Sequence, residues 1–164
     1  MMEWNRPRSV RQIGSVPGRE RIYVEDYVMR FAKRLAAKQS DNEKAAMLLG
    51  NQYHYNGQKI VQISGIVEIP QFARRNSPVL SPQSWDSVYT EIKENFTDLD
   101  IVGWFYTARD FDRQDAGKLL EIHKANFQHR DKVLYILDEK EQEDGMFLYH
   151  MGNFERQQGY YIYY

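Results

Sequence analysis

The stretch LDIVGWFYTARDF, residues 99–111, decides how this chain is read. Ile101 to Tyr106 reads as a buried strand that ends abruptly in a polar, charged loop. Strand ends opening into such loops are where many α/β proteins hold their chemistry. Before the strand, Trp85, Val88, Tyr89, Ile92 and Phe96 recur at helical spacing. They predict a helix with one apolar face, started by Ser81 as N-cap and Pro82 at the first helical position. After the loop, Leu119, Leu120, His123 and Phe127 predict a helix over about 115–127, and KVLYILD (132–138) a second buried strand.

Farther out, Val24, Tyr27, Val28, Phe31, Ala32, Leu35 and Ala36 form the stripe of an amphipathic helix. An apolar run, Ala45 to Leu49, leads to YHYNGQKI, whose Asn56-Gly57 pair favours a type I′ hairpin turn. The return strand runs to Ile69, and Pro70 ends it. Toward the C-terminus an acidic turn leads to GMFLYHM (145–151), and Gly152-Asn153 turns back toward YYIYY. The tyrosine run reads as a half-buried strand; its alternative is a protein-binding edge. Hairpin strands with helices between the blocks point to an α+β fold or a mixed-sheet sandwich. Residues 1–20, with Arg6, Arg8, Arg11 and Arg19 and no periodicity, read as a flexible basic leader. Residues 21–164 read as a single domain, expected to be cut from a longer protein because the chain stops on a strand-like run.

The totals exclude several classes of function. The formal net charge of −1 gives no whole-molecule field to draw nucleic acid or an anionic membrane. No run approaches the roughly 18 apolar residues of a membrane span, so a cytoplasmic protein is expected. Without cysteine there are no disulfides, thiolate metal sites or cysteine nucleophiles. His54, His123, His129 and His150 lie far apart and form no HxH or HExxH pair. There is no nucleotide-binding glycine motif and no GxSxG elbow. What remains is a carboxylate cluster after the strand, Asp110, Asp112 and Asp115, with Glu43 as a fourth member. Two such groups share acid and base roles when burial separates their pKa values.

Four blocks in one order, EKAAMLLG (43–50), the hairpin, IVGWFYTA (101–108) and VLYILD (133–138), resemble the JAMM/MPN domain. Active members of that family are zinc-dependent isopeptidases. The resemblance covers about residues 21–155 and implies an α+β fold with a mixed, curved sheet flanked by helices, a cytidine-deaminase-like architecture. In the family a glutamate opens a strand of the form E-x-x-x-x-x-x-G. A later strand, I-V-G-W-Y, runs into H-[ST]-H-P and then S-x-x-D. Glu43 matches the general base, Trp104 the strand and Thr107 the middle Ser or Thr. Tyr106 and Ala108 stand where the two histidine ligands belong, and Arg109 replaces the proline. Counted without a gap, Ala116 and Leu119 take the Ser and Asp places. With a loop four residues shorter, Asp112 and Asp115 take them.

The resemblance therefore implies an inactive domain of the MPN-minus type, with no metal and no cofactor. A phenol with an ordinary pKa near 10 is a poor zinc ligand, and alanine offers no ligand atom. Without zinc there is no water of lowered pKa for Glu43 to use. A hydrogen bond or salt bridge from Glu43 to Arg109 or Thr107 is expected instead. Inactive members act as scaffolds, so a protein partner is expected, either a second copy or another MPN-like domain. Two other readings stay open. One is a hydrolase reusing the cleft with Asp110, Asp112 or Asp115 and Glu43. The other is a peptide- or ligand-binding module lined by Tyr106 and Arg109.

Overall fold

The computed structural model describes residues 3–38, 43–73, 77–108, 115–127, 131–138 and 140–164. In chain order the elements are β1 (Val10–Gly14), β2 (Glu20–Glu25), α1 (Asp26–Lys38), β3 (Lys44–Tyr55) and β4 (Gln58–Glu68). They continue with α2 (Pro82–Asn95), β5 (Asp100–Thr107), α3 (Asp115–Asn126), β6 (Val133–Asp138), β7 (Glu143–His150), β8 (Asn153–Arg156) and β9 (Gly159–Tyr163). The strands form one mixed sheet in the order β1-β9-β2-β4-β3-β5-β6-β7-β8. β2 runs parallel to β4 and β9, and β5 parallel to β6; the other neighbours are antiparallel. The architecture is α+β: a curled sheet with three helices among the described residues.

Local sequence accounts for the element ends. Asn56 and Gly57 both have positive φ, 49° and 75°, as a type I′ turn requires. Ser81 accepts from the Ser84 backbone N–H at 3.1 Å and Pro82 follows, so α2 starts where its capping residue stands. Gly103 permits the close pairing of β5 with β6, since a Cβ there would lie 2.3 Å from the Val133 carbonyl oxygen. β5 carries one extra residue against β3, because Leu48 pairs with Gly103 and Leu49 with Ile101. This bulge lets Val102 and Phe105 share one face of the sheet, while Trp104 and Tyr106 take the other.

One face curls around α1. Val28, Ala32, Leu35 and Ala36 of the helix meet residues from seven strands in a single apolar cluster. The curl brings distant places in the strand order together: Asp144 of β7 accepts from Tyr135 of β6 at 2.7 Å and from Tyr160 of β9 at 2.6 Å. On the other face, α2 and α3 cover β3, β5 and β6. A third cluster of Trp4, Tyr23, Ile60, Tyr161 and Tyr163 covers β2, β4 and β9.

Four features differ from the sequence reading. Within the expected leader, Trp4 is buried and residues 10–14 pair with β9, so part of it belongs to the fold. The edge strand has little alternation of its own, and its partner lies at the far end of the chain. The tyrosine strand lies between β1 and β2 with its rings buried, so it is not a binding edge. The turn after β7 centres on Met151 and Gly152, at φ 50° and 90°, and returns as β8 rather than as the tyrosine strand. Tyr89, expected on the inner face of α2, is 55% exposed and stacks on Trp85 at 5.5 Å.

Candidate functional site

β3 and β5 lie side by side, with Lys44 opposite Thr107 and Ala45 opposite Tyr106. This register brings Glu43, which directly precedes β3, to the C-terminal end of β5. The Tyr106 hydroxyl donates to Glu43 Oε2. The Tyr106 ring is 0% exposed, in a cluster with Trp104, Ala108, Leu119 and Ile122. Phe72 packs edge-on to it at 5.9 Å and Trp104 at 6.3 Å. Phe72 also lines a cavity of about 220 Å³ with Ile69, Leu80, Ser84 and Ile122.

Strand alternation sends Thr107 to the opposite face. Its Oγ1 donates to the Leu137 carbonyl at 2.7 Å, on neighbouring β6. A hydroxyl has one proton, so Thr107 is not the donor to Glu43 that the sequence led us to expect; Tyr106 is. Arg109, Asp110 and Asp112 lie outside the described residues. Asp115 opens α3.

Behind Tyr106 lies a second polar pair. Trp104 Nε1 donates to His123 Nδ1 at 3.0 Å, with both rings buried. An indole N–H is accepted only by an unprotonated ring nitrogen, so the imidazole is neutral with its proton on Nε2. Tyr149 stacks on the imidazole at 5.5 Å and Phe154 meets it edge-on at 5.0 Å. His123 thereby ties α3 to β5, β7 and β8. Periodicity puts His123 on one helical stripe with Leu119 and Phe127; the Trp104 bond depends on how α3 crosses the sheet, which helical spacing does not encode.

As chemistry, the arrangement is a phenol donor closed onto a carboxylate under an aromatic layer. One oxygen of Glu43 is engaged by a hydroxyl rather than left to water, and Ala108 adds no donor or acceptor side chain. Among the described residues, no three His, Asp or Glu side chains gather within reach of one metal ion. His54 stands near the hairpin end of β3, while His150 bonds Glu20 at 2.8 Å. No helix among the described residues is long and apolar enough to cross a membrane.

No protein-family model and no curated protein matches the chain. Among solved structures it is similar to protein DSY2949 of Desulfitobacterium hafniense, determined in solution. The match has a TM-score of 0.56 over 86% of this chain and 90% of that one, at 13% identity. At that identity the likeness concerns the fold alone.

Proposed function

We propose that the chain is a metal-free domain of the JAMM/MPN type, with a cytidine-deaminase-like architecture, which serves in the cytoplasm as a protein-association module. The pairing of Glu43 with Tyr106 carries this proposal. Glu43 has the position of the family's general base, and Tyr106 that of its first histidine ligand. In an active site these two residues would face each other across a zinc-bound water. Here a buried phenol fills that space and donates to the carboxylate. With Ala108 at the second ligand position, two of the three protein ligands of a catalytic zinc are missing. The partner is a protein: a second copy of this chain or another domain of the same type.

The test is an assay with an isopeptide-linked ubiquitin dimer, with and without added zinc. No cleavage above background is expected in either condition. Zinc-dependent cleavage that is lost in Glu43→Gln would overturn the proposal.

A further inference from the structure

Two arginines and two tyrosines meet where β2 lies beside β9. Tyr23 and Tyr161 are direct cross-strand partners, and their rings stack at 4.7 Å with 17° between their planes. Arg21 stands two residues before Tyr23 on β2 and so shares its face of the sheet. Its Nη1 donates to the Tyr161 hydroxyl at 2.6 Å, and its guanidinium carbon lies 5.8 Å from the centre of that ring. Arg6 reaches the Tyr23 hydroxyl from the segment that carries Trp4. Burial raises the Tyr23 hydroxyl above its ordinary value, and the charges of Arg6 and Arg21 act against that rise.

The cluster is rich in cations and donors and poor in acceptors. Among the described residues, no ion pair joins Arg6 or Arg21 to an acid. Glu20, next to Arg21 in sequence, turns to the other face and bonds His150 at 2.8 Å. Arg21 Nε is buried and meets no acceptor among the described residues. A buried donor in that state is a cost to the fold. Nε and Nη2 form one edge of the guanidinium, the kind of edge that holds an oxyanion through two parallel bonds. Each phenol oxygen receives a hydrogen bond from a guanidinium, so each hydroxyl keeps its own proton to donate. Arg6 is exposed and Arg21 partly so, which gives a ligand access from solvent.

We propose that Arg6 and Arg21, with the Tyr23 and Tyr161 hydroxyls, bind a phosphoryl oxyanion. Neighbouring guanidiniums repel each other, and a phosphoryl dianion neutralises both where a carboxylate would neutralise one. Its tetrahedral oxygens take the Nε–Nη2 edge of Arg21, the Arg6 guanidinium and the phenol protons together. The source is the free ion or a phosphorylated side chain, and the chemistry recognised is the same. The site uses none of the residues at the end of β5, so it stands or falls separately from the metal-free proposal.

The test is an amide-shift NMR titration of the full chain at constant ionic strength. The probes are inorganic phosphate, acetyl-Ala-phosphoserine-Ala-amide, the same peptide without phosphate, and acetate. Inorganic phosphate and the phosphorylated peptide are expected to shift the amides of Arg21, Tyr23 and Tyr161 to saturation, and the other two probes to leave them in place. Tighter binding of the phosphorylated peptide assigns the ligand to a phosphorylated side chain, and equal or tighter binding of inorganic phosphate assigns it to the free ion; either supports the proposal. Arg6→Gln and Arg21→Gln should each weaken binding about tenfold, and Arg21→Lys, which keeps the charge and loses the fork, by less. Arg6→Gln changes an exposed side chain, so it tests the site even where Arg21→Gln disturbs the β2–β9 pairing. Arg34→Gln removes an exposed charge from α1 and should leave binding unchanged. No saturable shift with either phosphoryl probe, an equal response to acetate, binding unchanged in Arg6→Gln, or an equal loss in Arg34→Gln overturns the proposal.

Discussion

Tyr106 and Glu43 form the smallest unit of this account. A hydrogen bond to a charged group contributes about 1.5–3 kcal/mol when its partner is lost in a dry setting. Glu43 is half-buried, so water recovers part of that. Tyr106→Phe keeps the ring and removes the donor, and it should lower stability by about 1–2 kcal/mol in urea denaturation. Glu43→Gln keeps an acceptor and should cost less. If Tyr106→Phe costs nothing, the pair does not hold this end of β5. That Tyr106 and Ala108 would stand at the ligand positions of the proposed family is legible once the IVGW strand is aligned with its motif. That Glu43 accepts from Tyr106, while the Thr107 hydroxyl goes to Leu137, is not. The partner is decided by the register of β3 on β5, and by strand alternation that turns Thr107 to the other face.

At the scale of elements, the first strand and the segment before it close one end of the sheet. Trp4 meets Tyr23 at 5.3 Å and Tyr55 at 5.2 Å, and its Nε1 donates to Gln62 at 2.9 Å. Truncating a buried tryptophan costs about 3–5 kcal/mol. Trp4→Ala should fall near the lower figure, because only one layer of chain covers the ring. Unchanged stability in denaturant would return residues 3–14 to the status of a leader. The elements that sequence reading located are those with local signals: the 3.6-residue stripe of α1, the Asn-Gly turn, the Ser-Pro start of α2. β1 has no such signal. Val10 to Gly14 offers one half-buried position, Ile13, and its ladder partner begins at Gly159. β8 was hidden for a similar reason, as a four-residue edge strand with only Phe154 half-buried.

For the molecule as a whole, the curl of the sheet gathers tyrosines into a setting that favours their neutral form. Burial, with the Tyr160 and Asp144 neighbours, pushes the Tyr135 hydroxyl well above its ordinary value of 10.0. Tyr160 is raised by burial and by its bond to Asp144, and Tyr163 is pushed up to about 12, chiefly by burial. A raised folded-state pKa means that the unfolded chain releases the proton first. This stabilisation is fully present below pH 10 and is lost as pH rises above it through the folded values. The melting temperature should therefore fall above pH 10, and the tyrosinate absorbance of Tyr135, Tyr160 and Tyr163 should appear with unfolding rather than before it. A full tyrosinate signal at pH 10.5 in the folded chain would contradict the packing of these rings. The central claim concerns the end of β5, and the zinc content of the purified chain tests it most directly. Elemental analysis after dialysis against micromolar zinc should find far less than one equivalent per chain. One tightly held equivalent, lost in Glu43→Gln or Asp115→Asn, would contradict the account.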